Sequence, residues 1–247
     1  MQRLLLLLLL GIPMVACAQV DPNFFGQEVR FTTTDNLEIS ADMYLTENED
    51  DPVIVLCHQA GFSRGAYREI APKLNALGFH CLAIDQRSGK TAQGVENETH
   101  KRAKESGMAT AYADAVPDID AAIKYAYEEI SNDVILWGSS YSAALTFYLG
   151  ATHNDDIKAI LAFSPGEYMK VKGKNIEEYA ALVTCPVFVT SAKNEQKQWQ
   201  GIYDAVQSEK EFFLPKTKGF HGSKCLWKLS PGHEEYWRAV GKFLKLL

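Results

Sequence analysis

An α/β protein built on a mostly parallel sheet is the fold class that this sequence predicts. Three observations lead there. Short apolar runs recur at 53–57, 79–84, 134–137, 157–163 and 187–190. Their unbroken apolar character is that of strands buried on both faces. Helical spacing of apolar residues fills the stretches between them, so strands and helices alternate. Such alternation wraps helices over both faces of one sheet, here of about eight strands.

Each element has its own signal. Residues 28–33 and 38–44 alternate in polarity around Asp35-Asn36, a turn signal, and read as a β-hairpin. After the 53–57 strand, residues 67–77 have helical spacing, and Gly78 ends that helix. The 79–84 strand leads into a polar stretch, 85–108, with Gly89, Gly94 and Gly107. It reads as a solvated loop at the carboxyl edge of the sheet, able to cover a pocket. Residues 112–130 form a long helix with Asp114, Asp118 and Asp120 near its start. The 134–137 strand is followed by a helix over 141–149, and the 157–163 strand by a short helix at 176–182. Next come the 187–190 strand, a helix at 198–206, a strand at 211–214 and a last helix at 234–246.

The chain has 247 residues, 47% of them hydrophobic, enough for one sizeable core. Residues 19–247 read as one domain. A net charge of −6, with Lys and Arg scattered, gives no basic footprint for nucleic acid. Arg3, the leucine run 4–10 and the small residues Ala16-Cys17-Ala18 read as a signal peptide over 1–18, with Gln19 as the mature start. The apolar run is short for a membrane span. Cleavage after Ala18 gives a soluble exported protein, periplasmic or secreted. Cleavage before Cys17 gives a lipid-anchored one, because Val15-Ala16-Cys17 resembles a bacterial lipobox; only that route implies a membrane partner. Cys57, Cys81, Cys185 and Cys225 have no metal spacing, and their pairing stays open. No run of residues signals a metal, nucleotide or other cofactor.

The most informative segment is Gly138-Ser139-Ser140-Tyr141-Ser142, between an apolar strand and a helix of small residues. A serine on so tight a turn needs small residues two before and two after it. Ser140 has Gly138 and Ser142 there; Ser139 would have Trp137 and Tyr141. Ser140 is therefore the candidate nucleophile. The pattern is G-x-S-x-G with its last glycine replaced by Ser142.

This pentapeptide and the hairpin-then-alternation order resemble the α/β-hydrolase superfamily over nearly the whole mature chain. The compact dienelactone-hydrolase-like and carboxylesterase-like members are most similar, since only a short link joins Phe163 to the 176 helix where larger members insert a lid. The resemblance implies a triad in the order serine, acid, histidine, each on a loop after a strand. His221, after the last strand, fills the histidine slot, with His233 as its rival; His58, His80, His100 and His153 lie elsewhere. Glu195, in Ala192-Lys193-Asn194-Glu195, fills the acid slot, with Glu167 as the alternative. The implied oxyanion donors are the backbone N–H of Tyr141 and that of Ala60, with Gln59 second. The loop His58-Gln59-Ala60-Gly61 stands where the family has H-G-x-x, which makes His58 structural. Asp85-Gln86-Arg87-Ser88-Gly89 resembles another family segment of structural role.

These slots together imply a serine hydrolase acting on a small acyl or ester substrate through an acyl-enzyme, without a cofactor. Phe62, Tyr67, Tyr141 and Trp227 are candidates to line a small apolar pocket. An acyl-peptide or aminopeptidase-like hydrolase is the enzymatic alternative. A non-catalytic exported binding protein on the same fold is the other.

Overall fold

The computed structural model describes residues 26–247. The signal segment, its cleavage sites and Cys17 lie outside the described residues. In chain order the strands are β1 (Gln27–Thr32), β2 (Glu38–Tyr44), β3 (Val53–Cys57), β4 (His80–Ile84), β5 (Thr91–Ala92), β6 (Val95–Glu96), β7 (Val134–Ser139), β8 (Ile157–Phe163), β9 (Val187–Thr190) and β10 (Lys210–Phe213). The helices are α1 (Ala71–Asn75), α2 (Glu98–Glu105), α3 (Val116–Glu129), α4 (Tyr141–Thr152), α5 (Ile176–Ala180), α6 (Gln196–Ala205) and α7 (His233–Leu244).

Eight strands form one sheet in the order β1-β2-β4-β3-β7-β8-β9-β10. β1 and β4 each pair antiparallel with β2, and every other neighbour is parallel. The central strands β3, β4 and β7 are buried along their whole length, which is why they carry unbroken apolar runs. Ile119, Phe147, Ile176 and Trp199 of α3 to α6 pack on one face with Val55 and Leu136. Leu74 of α1, with Tyr236 and Val240 of α7, packs on the other with Ile54 and Trp137. This is the α/β-hydrolase architecture. The chain winds from β3 to β4 in one direction and from β7 to β10 in the other. Strand order thus reverses at β3 and β7, where the loops leaving their carboxyl ends diverge and open a crevice.

Four expectations need correction. The helix at 67–77 is a 3-10 turn at Arg64–Tyr67 followed by the short α1, because Pro72 permits a helix only from its first turn onward. The helix at 112–130 likewise opens as a 3-10 turn, with Pro117 in the first turn of α3. Stretch 85–108 is not a solvated loop: it holds the β5–β6 ribbon and α2, and Asp85, Gln86, Arg87, Asn97 and Thr99 are buried. Arg87 is paired with Asp118 at 2.7 Å and Asp35 at 2.7 Å, and Arg64 with Asp42 at 2.8 Å and Asp85 at 2.5 Å. Thr99 Oγ1 accepts the Ser40 N–H at 3.0 Å, so α2 is seated on β2 rather than across Ser140. Finally, Tyr67 is fully buried with its hydroxyl on the Cys57 carbonyl, and Tyr141 is fully buried too, so neither ring forms an open pocket wall.

Candidate active site

Ser140 stands between β7 and α4 with φ +61°. That left-handed backbone is costly for any residue but glycine. It is held by the bond from the Ser140 N–H to the Phe163 carbonyl at 2.7 Å. The turn is too tight for a side chain at 138: a Cβ on Gly138 would lie 2.5 Å from Ala143 Cα. Ser142 tolerates its place because its hydroxyl is used. Its Oγ donates to the His58 carbonyl at 2.6 Å and receives Gln86 Nε2 at 2.5 Å. Gln86 Oε1 in turn accepts the His58 N–H at 2.8 Å, and Gln86 Nε2 also donates to Tyr141 Oη at 3.1 Å. Gln86 and Ser142 therefore brace the 58–61 loop against the start of α4, which carries Tyr141.

His58 is part of that brace. Its Nε2 accepts the Gln86 N–H at 3.0 Å, so the proton sits on Nδ1, which donates to the Gln59 carbonyl at 2.9 Å. Burial pushes its imidazole down to about 4, leaving it neutral.

The other two candidates meet. His221 Nδ1 and Glu195 Oε1 are 2.7 Å apart. Glu195 Oε2 accepts Ser164 Oγ at 2.7 Å and the Ala192 N–H at 3.1 Å. Burial alone would raise this carboxyl, but its bonds with His221 and Ser164 outweigh burial and hold it below the usual carboxylate range. The histidine loop is pinned beside the Ser140 turn. The Ser223 N–H bonds Ser139 Oγ at 2.9 Å, and the Gly222 N–H bonds Ser164 Oγ at 2.8 Å. A Cβ on Gly222 would lie 2.4 Å from Ser139 Oγ, so only glycine lets the loop this close. Ser139 is thus a structural anchor, two residues from His221 in the contact it makes.

The alternatives are placed elsewhere. Glu167 accepts the backbone N–H groups of Ile176 at 2.8 Å and Glu177 at 2.7 Å, capping α5. His233 begins α7 and lines a groove of about 900 Å³ with Lys73 and Trp237. His80 Nδ1 accepts the Thr46 N–H at 3.0 Å, His100 Nδ1 meets the Arg87 carbonyl at 2.6 Å, and His153 meets Asp120 at 2.7 Å. Phe62 stacks on Trp227 with ring centroids 5.8 Å apart. All four described cysteines are buried and free. Among the described residues no cluster of His, Cys, Asp or Glu is placed to hold a metal ion.

Chemically, the arrangement offers a largely buried serine on a strained turn, an imidazole oriented by a carboxylate, and a loop braced beside the first N–H groups of a helix. Those N–H groups lack intrahelical partners. The model of the family described as serine aminopeptidase, S33, matches residues 48–211, more than half of the chain.

The chain belongs to that family of serine hydrolases.

Solved structures share the hydrolase's fold. An esterase of Pyrococcus furiosus superposes with a TM-score of 0.69 at 22% identity, covering 90% of this chain and 92% of that one. A dienelactone hydrolase of Anabaena variabilis gives 0.67 at 11% identity, with 87% and 95% covered. The acylaminoacyl peptidase of Pyrococcus horikoshii gives 0.62 at 16% identity, with 90% of this chain but 41% of that one covered. No curated protein matches the sequence.

Two site residues of this hydrolase carried no sequence signal. Ser164 has φ +54° and joins Glu195 to the histidine loop. Tyr168 lies beside Ser140 and donates to the Ser164 carbonyl at 2.8 Å; burial pushes its phenol up to about 12. Neither sits in a recognisable pattern, because both act through a loop whose path only the fold defines.

Proposed function

We propose that this serine hydrolase is an exported carboxylic-ester hydrolase that works through an acyl-enzyme on Ser140. His221 takes the Ser140 proton as Oγ attacks the acyl carbon. Glu195 holds the imidazole in the tautomer with its proton on Nδ1 and supports the imidazolium as it forms. The tetrahedral oxyanion is received by the backbone N–H groups of Tyr141 and Ala60. Collapse expels the alcohol, which takes the proton from His221, and water then repeats the cycle on the ester of Ser140. The observation that carries this reading is the 2.7 Å bond between His221 Nδ1 and Glu195 Oε1, on a loop anchored to the residue preceding Ser140.

Labelling by a fluorophosphonate probe, followed by peptide mapping, tests it. Ser140 takes the label, and Ser140→Ala loses both label and ester turnover, by roughly 10³- to 10⁶-fold. A folded Ser140→Ala protein that still hydrolyses esters removes the reading. A wild-type protein that takes no label points to a binding protein on this fold. The family's aminopeptidase description supports a second reading, hydrolysis of acyl-peptides or peptides. A panel of p-nitrophenyl esters against aminoacyl and acyl-peptide anilides separates the two.

Export rests on Arg3, the leucine run and Ala16-Cys17-Ala18. Intact mass of protein from the native envelope gives a start at Gln19 for the soluble form. A diacylglyceryl adduct on Cys17 gives the anchored one.

A further inference from the structure

Ser164 is a buried non-glycine residue at the carboxyl end of β8, with φ +54°. Such a backbone persists only where the surroundings over-determine it. Here they do. Its N–H bonds the Thr190 carbonyl at 2.6 Å, and its carbonyl accepts Tyr168 Oη at 2.8 Å. The hydroxyl has two partners of opposite kind. It donates to Glu195 Oε2 at 2.7 Å and accepts the Gly222 N–H at 2.8 Å. The first partner is the carboxylate that meets His221; the second is the residue next to His221. Glu195 is long and flexible, and without this hydroxyl its second oxygen keeps only the longer 3.1 Å bond from the Ala192 N–H.

We propose that Ser164 is a positioning residue of the catalytic apparatus, its hydroxyl fixing the Glu195 carboxylate and the His221 loop in one register. It touches no reacting atom. It locks the carboxylate plane so that Oε1 faces Nδ1. This inference rests on the proposed triad roles.

The substitution Ser164→Gly isolates the hydroxyl. Glycine adopts φ +54° without strain, and the backbone bonds to Thr190 and Tyr168 need no side chain. Ser164→Ala removes the hydroxyl with the strain retained. The surrounding charges stay the same in both. Lys218 and Lys224 line the cavity of about 560 Å³ that Glu195 and His221 share. Tyr168, Cys225 and Tyr236 also act on Glu195 or feel its charge.

The test is a proton NMR titration of the His221 ring in wild type, Ser164→Gly and Ser164→Ala, with the downfield Nδ1–H resonance followed alongside. This readout needs no turnover. Without the hydroxyl the carboxylate loses its alignment on Nδ1 and stabilises the imidazolium less, so the midpoint moves to lower pH in both variants. The downfield resonance exchanges faster as the carboxylate loses its register. In parallel, kcat falls roughly 10- to 100-fold, the loss typical of a hydrogen bond to a charged group, while KM stays within about twofold. An unchanged midpoint and an unchanged Nδ1–H resonance overturn the proposal. So does a loss of kcat without either spectral change, which marks a structural role only. If wild type hydrolyses nothing, the proposed function fails, and the titration still decides for or against Ser164.

Discussion

Ser142 Oγ donates to the carbonyl of His58 across 2.6 Å, tying the first turn of α4 to the loop after β3. The bond joins the two segments that carry the proposed oxyanion donors, Tyr141 and Ala60. It also explains why serine stands where a nucleophile turn usually has glycine. Ser142→Gly restores the usual residue and yet removes the brace. It lowers kcat/KM for a p-nitrophenyl ester by about 2- to 10-fold, the worth of one neutral hydrogen bond. Gln86→Ala, which strips His58, Tyr141 and Ser142 of a shared partner, costs more. Steady-state kinetics checks both, and a Ser142→Gly enzyme faster than wild type contradicts the brace.

Glu195 and Glu167 are separated by one pair of variants. Glu195→Gln costs up to roughly 10⁴ in turnover, because the amide no longer enforces the productive tautomer. It also moves the acid limb of activity to lower pH. The sign follows from charge: without the carboxylate the imidazolium loses its stabilising neighbour, so protonation of the base requires more acid. Glu167→Gln leaves activity near wild type and weakens the cap on α5, costing about 0.5–1 kcal/mol. A pH–rate profile and a thermal melt read the two effects. Full activity in Glu195→Gln excludes Glu195 as the orienting acid.

Low pH acts on stability through the same carboxyl. Glu195 is held below its ordinary range, so the stability it contributes is complete above the unfolded value, about 4.3. That contribution is lost as pH falls through the folded value. Urea unfolding of wild type and Glu195→Gln, compared from neutral pH to about pH 3, gives curves that converge on acidification. A constant gap across that range contradicts the assignment.

Arg87 is 3% exposed and bonds two carboxylates, of which Asp118 is fully buried. Removing one member of a buried ion pair leaves the other uncompensated, at a cost of about 3–5 kcal/mol. Arg87→Met is therefore strongly destabilising in chemical unfolding. Arg87→Met with Asp118→Leu recovers much of the loss. If the double variant is as unstable as the sum of the singles, the pairing carries no coupling energy.

Gly138→Ala tests the tightness of the nucleophile turn. The added Cβ meets backbone atoms of Ser142 and Ala143, which cannot rotate away. Overpacking of this kind costs about 1–3 kcal/mol, and turnover drops as the turn shifts. Wild-type stability and activity in this variant mean that the turn has room.

The sequence by itself determined the fold class and singled out Ser140 as the candidate nucleophile. Unbroken apolar runs have one cheap solution, a sheet covered on both faces, and the small flanks of Ser140 follow from the local sterics of one turn. These are short-range constraints, written in neighbouring residues. The slots for Glu195 and His221 were legible because each follows a strand in a fixed chain order, and the fold brings those two side chains together. Tertiary structure alone decided the rest. Only the fold places Glu195 against His221 and Glu167 at the start of α5. The polar stretch 85–108 read as solvated because its partners, Arg64, Asp118 and His58, lie far away in sequence. Buried charge is affordable only when matched, and matching across 20 to 60 residues leaves no local pattern. Ser164 and Tyr168 are the extreme case: ordinary residues on a short connection, given their contacts with Glu195 and Ser140 only by the parallel pairing of β7, β8 and β9.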